Sequence, residues 1–284
     1  MSRALTLEGV TLQFGGIRAL DELSFTVEPG TVHAVIGPNG AGKSSCFNVV
    51  SGHYRPTRGR VTFGDVDLTA LPAHQIARQG IGRAFQNIAL SGHVSVVDNL
   101  MVARHRLTKA GFVSTAFGLP RARREERVHR ERVREIADFV GLGDKLDAQA
   151  GTLAYGDRKR LEIARALCTE PEILLLDEPA AGMPAFEKWD VASLVMSVRE
   201  SLGISVLLVE HDMPVVMAIA DRITVLDFGR RIAEGTPEQV QQSEAVIAAY
   251  LGEAAAHDEA EAVAHALEHP SGDHPADPAL EEIR

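Results

Sequence analysis

The chain has 284 residues, 45% hydrophobic and 24% charged, the composition of a soluble globular protein with length for one large domain or two modest ones. No apolar run approaches the ~18 residues of a spanning helix, and the start, MSRALTLEGV, lacks the apolar core of a signal peptide; two cysteines are too few for a disulfide framework. A secreted or membrane-spanning chain is therefore not expected. The net charge of −10 is unevenly placed: residues 253–284 hold nine Asp or Glu against Arg284 alone, so the rest is nearly neutral, which argues against a nucleic-acid partner.

The first thirty residues alternate apolar and polar in short runs, LTLEGVTLQF and LSFTVEPG, which predicts a small antiparallel part. Val32 to Ile36 predicts a short strand, followed by a Gly-rich turn and a helix through SSCFNVVSG. GRVTFGDVDL reads as a hairpin and ALPAHQIARQG as a short helix ended by Gly80. From Val96 to Gly141 the pattern is helical, with Val133, Ile136 and Val140 on one face, and a helical subdomain is expected over about 88–165. ILLLD (173–177) and ISVLLVE (204–210) are apolar throughout, as strands buried on both faces are, and predict a central, mostly parallel sheet. The strand pair RITVLDFG and RRIAEG precedes the helical EQVQQSEAVIAAYLG. The last 32 residues have no aromatic side chain, few aliphatics and three prolines; they cannot bury enough to offset ordering entropy and are expected to be a disordered acidic tail.

The strongest chemical signal is Gly37-Pro38-Asn39-Gly40-Ala41-Gly42-Lys43-Ser44, which fits the phosphate loop G-x-x-x-x-G-K-[ST] between a strand and a helix. Glycines let backbone N–H groups crowd a polyphosphate at a helix N-terminus, Lys43 supplies charge to the β and γ phosphates, and Ser44, followed by Ser45, supplies a hydroxyl to Mg2+. The ligand is ATP or GTP. Asp177 ends a buried strand where its carboxylate can reach the Mg2+ shell, and Glu178 follows it, placed to orient or deprotonate an attacking water. His211, just past the next apolar strand, has two readings: a contact to the γ-phosphate, or a satisfied strand-end histidine.

The ordered set Phe14, GPNGAGKS, Gln86, LAYGDRKRLEIARAL, ILLLDEP and His211 resembles the ATP-binding cassette (ABC) ATPases over residues 4 to about 252. The resemblance implies an α/β phosphate-loop NTPase core with a mostly parallel central sheet, an N-terminal antiparallel β part and an inserted helical subdomain, all within residues 1–252. It implies that the nucleotide is ATP, that Phe14 stacks on adenine, that Gln86 joins Mg2+ to a membrane partner, and that His211 is the switch histidine. Leu153, Ala154, Tyr155, Gly156 and Asp157 match the signature stretch, normally Leu-Ser-Gly-Gly-Gln, which caps ATP bound to the other subunit of a head-to-tail dimer. Ala154, Tyr155 and Asp157 depart from that pattern, so backbone N–H groups and the N-terminus of a helix over 158–167 are expected to carry more of the anion binding.

The variant Leu-Ala-Tyr-Gly-Asp, with LEIARAL, EPAAG, LLVEHDM and AYLGE, is similar to the ATPase subunits of high-affinity branched-chain amino acid importers. That branch implies a second cassette subunit, integral membrane permease subunits, an indirectly coupled solute-binding protein, no nucleic acid, and a cytoplasmic position against the inner face of the membrane. ATPases importing urea, short amides or aromatic acids, and soluble cassette ATPases acting on ribosomes or DNA, are the alternatives. Where that branch usually continues Leu-Asn-Pro after Gly182, this chain has Met183-Pro184-Ala185, which removes a backbone donor where the loop crosses the dimer interface.

The run RARREERVHRERVRE (121–135) has seven arginines, but Glu126 with Arg130 and Arg127 with Glu131 fall at i,i+4, which favours a solvated helical face. Cys46 lies in the first turn after Lys43; packing in the core and activation as a thiolate by the helix dipole are its two readings.

Overall fold

The structure, a computed structural model, describes residues 3–84, 90–108 and 120–250. It contains two sheets. The first is antiparallel, with strand order β2-β1-β4-β5, built from β1 (Leu5–Phe14), β2 (Ile17–Val27), β4 (Arg58–Phe63) and β5 (Val66–Asp67). The second has the order β10-β9-β3-β8-β7-β6. In it β3 (Val32–Ile36), β6 (Ile81–Ala84), β7 (Ile173–Asp177), β8 (Ser205–Val209) and β9 (Arg222–Asp227) run parallel, and β10 (Arg230–Gly235) closes one edge antiparallel to β9. The α/β class, the N-terminal antiparallel part and the mostly parallel central sheet agree with the sequence.

The apolar strands are buried on both faces because alternate residues feed different cores. Leu175 of β7 and Leu207 and Val209 of β8 pack with Leu5 and Leu7 of β1 and with Phe47 of α1 (Lys43–Val50), in the layer between the two sheets. Their sequence neighbours Leu174, Leu176, Val206 and Leu208 face the other way. There they meet α3 (Val96–Arg104), α4 (Pro120–Phe139), α5 (Tyr155–Leu167) and α6 (Ala185–Leu202). A third cluster joins Ala34, Ile36, Ile223 and Val225 to Val216 of α7 (Met213–Ile219) and Val240 of α8 (Pro237–Gln241). The short α2 (Ala73–Arg78) inserts Ile76 into the inter-sheet core.

Between β6 and β7 the described residues hold helices and one isolated bridge, Ser95 with Gln149, but no strand. Val133, Ile136 and Val140 are buried, as their spacing predicts. Arg104, also buried, ties this region together: it donates to His129 Nδ1 of α4 (3.0 Å), to the carbonyl of Cys168 just past α5 (3.1 Å) and to Glu170 Oε1 (2.9 Å). On the outer face of α4 Arg130 pairs with Glu126 at 3.0 Å, whereas Arg127 and Glu131, at the same spacing, do not pair.

Two expectations need correction. A strand at Ile81–Ala84 was not expected, since IGRA shows neither alternation nor an apolar run; pairing of Ile81 with Ile173 through Ala84 with Leu176 imposes it. Helix α5 begins at Tyr155, three residues before Arg158, with Ala154 as an N-cap that supplies no side-chain bond.

His33 on β3 is fully buried, with Nε2 2.8 Å from Thr224 Oγ1; burial first, and Arg222 second, pulls its pKa down to about 4. The unfolded chain binds a proton there near pH 6.5 and the folded chain does not, so stability falls as pH drops from 6.5 toward 4. Urea unfolding at pH 7 and pH 4.5 should show the wild type losing about 2–3 kcal/mol more than His33→Gln over that interval. Equal losses would contradict the neutral buried imidazole.

Candidate nucleotide site

The phosphate loop joins the end of β3 to α1. At Gly37 (φ 150°) a Cβ would lie 2.1 Å from the carbonyl oxygen of Leu226, and at Gly42 (φ 102°) 2.6 Å from that of Ala19, so neither position admits a side chain. Gly42 is the N-cap of α1 and no side chain caps this end, which leaves the first-turn N–H groups for a ligand. Lys43 is buried, and its ammonium donates to the carbonyls of Gly37 (2.6 Å) and Pro38 (2.8 Å), inside the curve of the loop. Ser44 is exposed and Ser45 half-buried at the same helix end, and Asn39 and Gly40 form the exposed crest of the loop, with Ala41 buried beneath it.

Asp177 ends β7 and is 4% exposed. Its Oδ2 accepts from Arg83 Nη2 at 3.2 Å, while Oδ1, also buried, has no hydrogen-bond partner among the described residues. Burial, the leading cause, and the neighbouring Glu178 charge push its pKa up against the opposing pull of Arg83. Arg83, on the strand that was not expected, also donates to Asn48 Oδ1 (2.9 Å) and Ser51 Oγ (2.7 Å), linking the Asp177 carboxylate to the helix of the phosphate loop. Glu178 adopts a left-handed backbone (φ 50°) immediately after the strand, its N–H still bonded to the Val209 carbonyl at 2.9 Å. His211, past β8, brings Nδ1 to 3.8 Å from Glu178 Oε1. Lys43, Ser44, Asp177, Glu178 and His211 therefore follow the ends of three adjacent parallel strands, β3, β8 and β7.

The other predicted residues are placed differently. Phe14 is 48% exposed and its ring meets Tyr54 edge-on at 5.1 Å, an aromatic pairing the sequence reading missed. Gln86 lies outside the described residues. Leu153 is buried and Ala154 is exposed; Tyr155 donates its hydroxyl to the carbonyl of Ala181 at 3.0 Å, and Gly156 is held so that a Cβ would meet Glu187 Oε2 at 2.8 Å. Asp157 is engaged by Lys145 at 2.7 Å, and that hydrogen bond raises the lysine's pKa. Pro184, expected to cost a donor, is the N-cap of α6, where no intrahelical N–H bond is made; its carbonyl accepts from Glu187 and Lys188. Residues missed by the sequence reading are Arg83, Tyr54 and Glu210. The signal for the last was available, because ISVLLVE ends in an acid just as ILLLD does.

A family model described as ABC transporter matches residues 20–181, more than half of the chain. The chain is an ABC transporter ATPase. A second model, branched-chain amino acid ATP-binding cassette transporter, matches residues 230–256 of this ATPase. The ATPase is 44% identical over 255 residues to the high-affinity branched-chain amino acid transport ATP-binding protein BraF of Pseudomonas aeruginosa, covering 89% of this chain and 100% of the relative. To the corresponding LivG protein of Escherichia coli it is 42% identical over 250 residues, covering 88% and 98%. Among solved structures, the ADP conformation of MJ1267, an ATP-binding cassette of an ABC transporter, superposes with a TM-score of 0.77 at 31% identity, covering 89% of this chain and 100% of that one.

Of the two readings of Cys46 in the ATPase, packing holds: it is fully buried in the inter-sheet core, and burial pushes its thiol up to about 12. The helix end does not activate it. Cys168 is likewise buried, its thiol also near 12. N-ethylmaleimide at pH 7.5 should leave both thiols of the native protein unlabelled over minutes and label both in urea. Rapid native labelling at Cys46 would contradict this placement.

Proposed function

We propose that this chain binds and hydrolyses ATP as the energising subunit of an importer for branched-chain amino acids. It would act as a head-to-tail dimer with a second cassette subunit, docked on integral membrane permease subunits at the inner face of the cell membrane, with a solute-binding protein coupled through them. The observation that carries this is the convergence of the phosphate loop, the acid pair Asp177-Glu178 and His211 at one sheet edge, in a chain matching relatives named for that transport along their full length.

The backbone N–H groups of the loop from Gly37 to Gly42, Pro38 having none, line the phosphates, Lys43 supplies charge, and Phe14 supplies an aromatic face for adenine. Mg2+ fits the residues present: the partnerless buried Oδ1 of Asp177 calls for a donor such as a metal-bound water, and the Ser44 hydroxyl is free at the helix end. When bound there the ion would neutralise phosphate charge, and Gln86, which lies outside the described residues, is proposed as the residue that joins it to the permease. Glu178 orients the attacking water and accepts its proton, and His211 approaches the γ-phosphate from the neighbouring loop.

The signature residues Leu153 to Asp157 are tied to the loop after Glu178 through Tyr155, which suits a role on the partner's ATP. With Ala154 at the N-cap in place of a serine, the exposed N–H groups opening α5 are the donors left for that phosphate. A groove of about 470 Å3 between α2, β6 and α3 is lined by Ile76, Ile81, Val102, Ala103 and Ala166, with Arg83 at its polar side. It suits an apolar permease segment, which would rest beside the guanidinium that holds Asp177. Among the described residues no helix is long and apolar enough to cross a membrane, so contact with the bilayer would go through such subunits.

Lys43→Ala should lose ATP binding or turnover by at least tenfold, as removal of the phosphate-loop cation predicts; normal hydrolysis would refute the loop assignment. Glu178→Gln should keep ATP affinity, lose turnover by about 100-fold or more, and dimerise with Mg-ATP, read by light scattering. Purified from its native cells in mild detergent with Mg-ATP, this variant should bring polytopic permease subunits, and the solute their binding protein takes would be a branched-chain amino acid. Recovery of ribosomal or DNA-repair proteins with no membrane protein would overturn the transport reading, and a permease taking urea, short amides or aromatic acids would overturn the cargo alone.

A further inference from the structure

Glu210 is 1% exposed, a carboxylate buried at the end of β8 beside two other acids. Burying such a group is costly unless its oxygens are engaged, and both are. Oε1 accepts the N–H of Ala180 at 2.9 Å, and Oε2 accepts the N–H of His211 at 3.1 Å and, at 3.5 Å, that of Asp212. Ala180 lies two residues past Glu178, in the turn that leaves β7, where Ala181 N–H bonds back to the Glu178 carbonyl at 3.2 Å. One side chain thus clasps the backbone of two loops: the one that carries Glu178 and the one that carries His211. Its Oε2 also sits 3.8 Å from His211 Nδ1, the same distance as Glu178 Oε1. The imidazole nitrogen is therefore equally near two carboxylates, the half-buried Glu178 and the buried Glu210.

We infer that Glu210 is a positioning residue for ATP hydrolysis, one that sets the separation and facing of Glu178 and His211 by bridging their loops. This rests on the roles given above to those two residues. Glutamate is the side chain the geometry requires. A carboxylate offers two acceptors to two converging N–H groups. Glutamine has one acceptor and would aim its NH2 at one of the backbone donors, so in either orientation one clasp opens and a buried donor is left against a donor. Aspartate keeps both acceptors but is shorter by one methylene. The loop is held elsewhere too, by Tyr155 on Ala181 and by Lys188 of α6 on Asp212 at 2.5 Å, so loss of the clasp should shift the loops rather than unfold them.

The test is a double-mutant cycle on the full-length protein, reading kcat for ATP hydrolysis and Kd for ATP in Glu210→Gln, His211→Ala and the double variant. Loss of one buried charge-assisted bond should lower kcat of Glu210→Gln about 10- to 100-fold with Kd moving less than about threefold. A residue that acts by setting His211 against Glu178 should cost less once His211 is gone, so the double variant should lose clearly less than the product of the two single losses. Turnover of Glu210→Gln within about twofold of wild type, or losses that multiply in the double variant, would overturn the inference. If Glu210→Gln loses cooperative unfolding, the same cycle with Glu210→Asp decides, with a smaller loss of about 3- to 10-fold and the same non-additivity expected; full wild-type turnover there would overturn it. Glu178→Gln run alongside separates the two failures: if it turns over normally the hydrolysis roles themselves are wrong, whereas if it is inactive and Glu210 variants are normal, only the positioning role falls.

Discussion

Val209 pairs with Val35 on one side and with Asp177 on the other. That parallel register puts the ends of β3, β8 and β7 level, and everything chemical in the molecule depends on it. One residue further along each strand stand Ile36, leading into the phosphate loop, Glu210, leading into His211, and Glu178. In a parallel sheet a shift of one residue would turn every side chain to the opposite face, so the register is locked by the three cores into which the alternate residues of these strands fit. The same packing that stabilises the sheet fixes the spacing between the lysine, the carboxylates and the histidine.

The sequence was most informative where a local rule coincided with the tertiary demand. The strands ILLLD and ISVLLVE, the glycine loop and the face Val133, Ile136 and Val140 could be read because burial and periodicity agree there. It was silent where tertiary context alone decides. Strand β6 is four residues containing a glycine and an arginine, and only its neighbour β7 makes it a strand. Arg83 could not be recognised as a partner of Asp177 because 94 positions separate them. Cys46 was ambiguous between a helix-end thiolate and a packed thiol; the core around Phe47 settles it, since desolvation outweighs a helix dipole of a few tenths to about 1 kcal/mol. Asp157 looked like a signature residue open to a ligand, yet Lys145 occupies it.

The departures from the family's signature pattern are compensated locally. Tyr155, where a glycine is usual, reaches the loop after Glu178 and adds a hydrogen bond between two segments that serve different ATP molecules in the proposed dimer. Ala154 caps α5 without a side-chain acceptor, which leaves the helix N–H groups exposed. The substitution that removes a serine hydroxyl leaves uncapped backbone donors at the helix end that the proposed dimer would turn toward the partner's ATP.

Pro184 has a consequence beyond its neutral effect on α6. With Pro179 at the other end, it brackets the segment 179–184 between two rings with fixed φ, and rigid termini reduce the number of conformations the segment has to lose. Glu210, Tyr155 and the first turn of α6 hold it from three sides. A segment so confined has few conformations to lose. It joins α6 at Pro184 and is tied to the signature stretch through Tyr155, so the position of that helix bears directly on the backbone that carries Glu178.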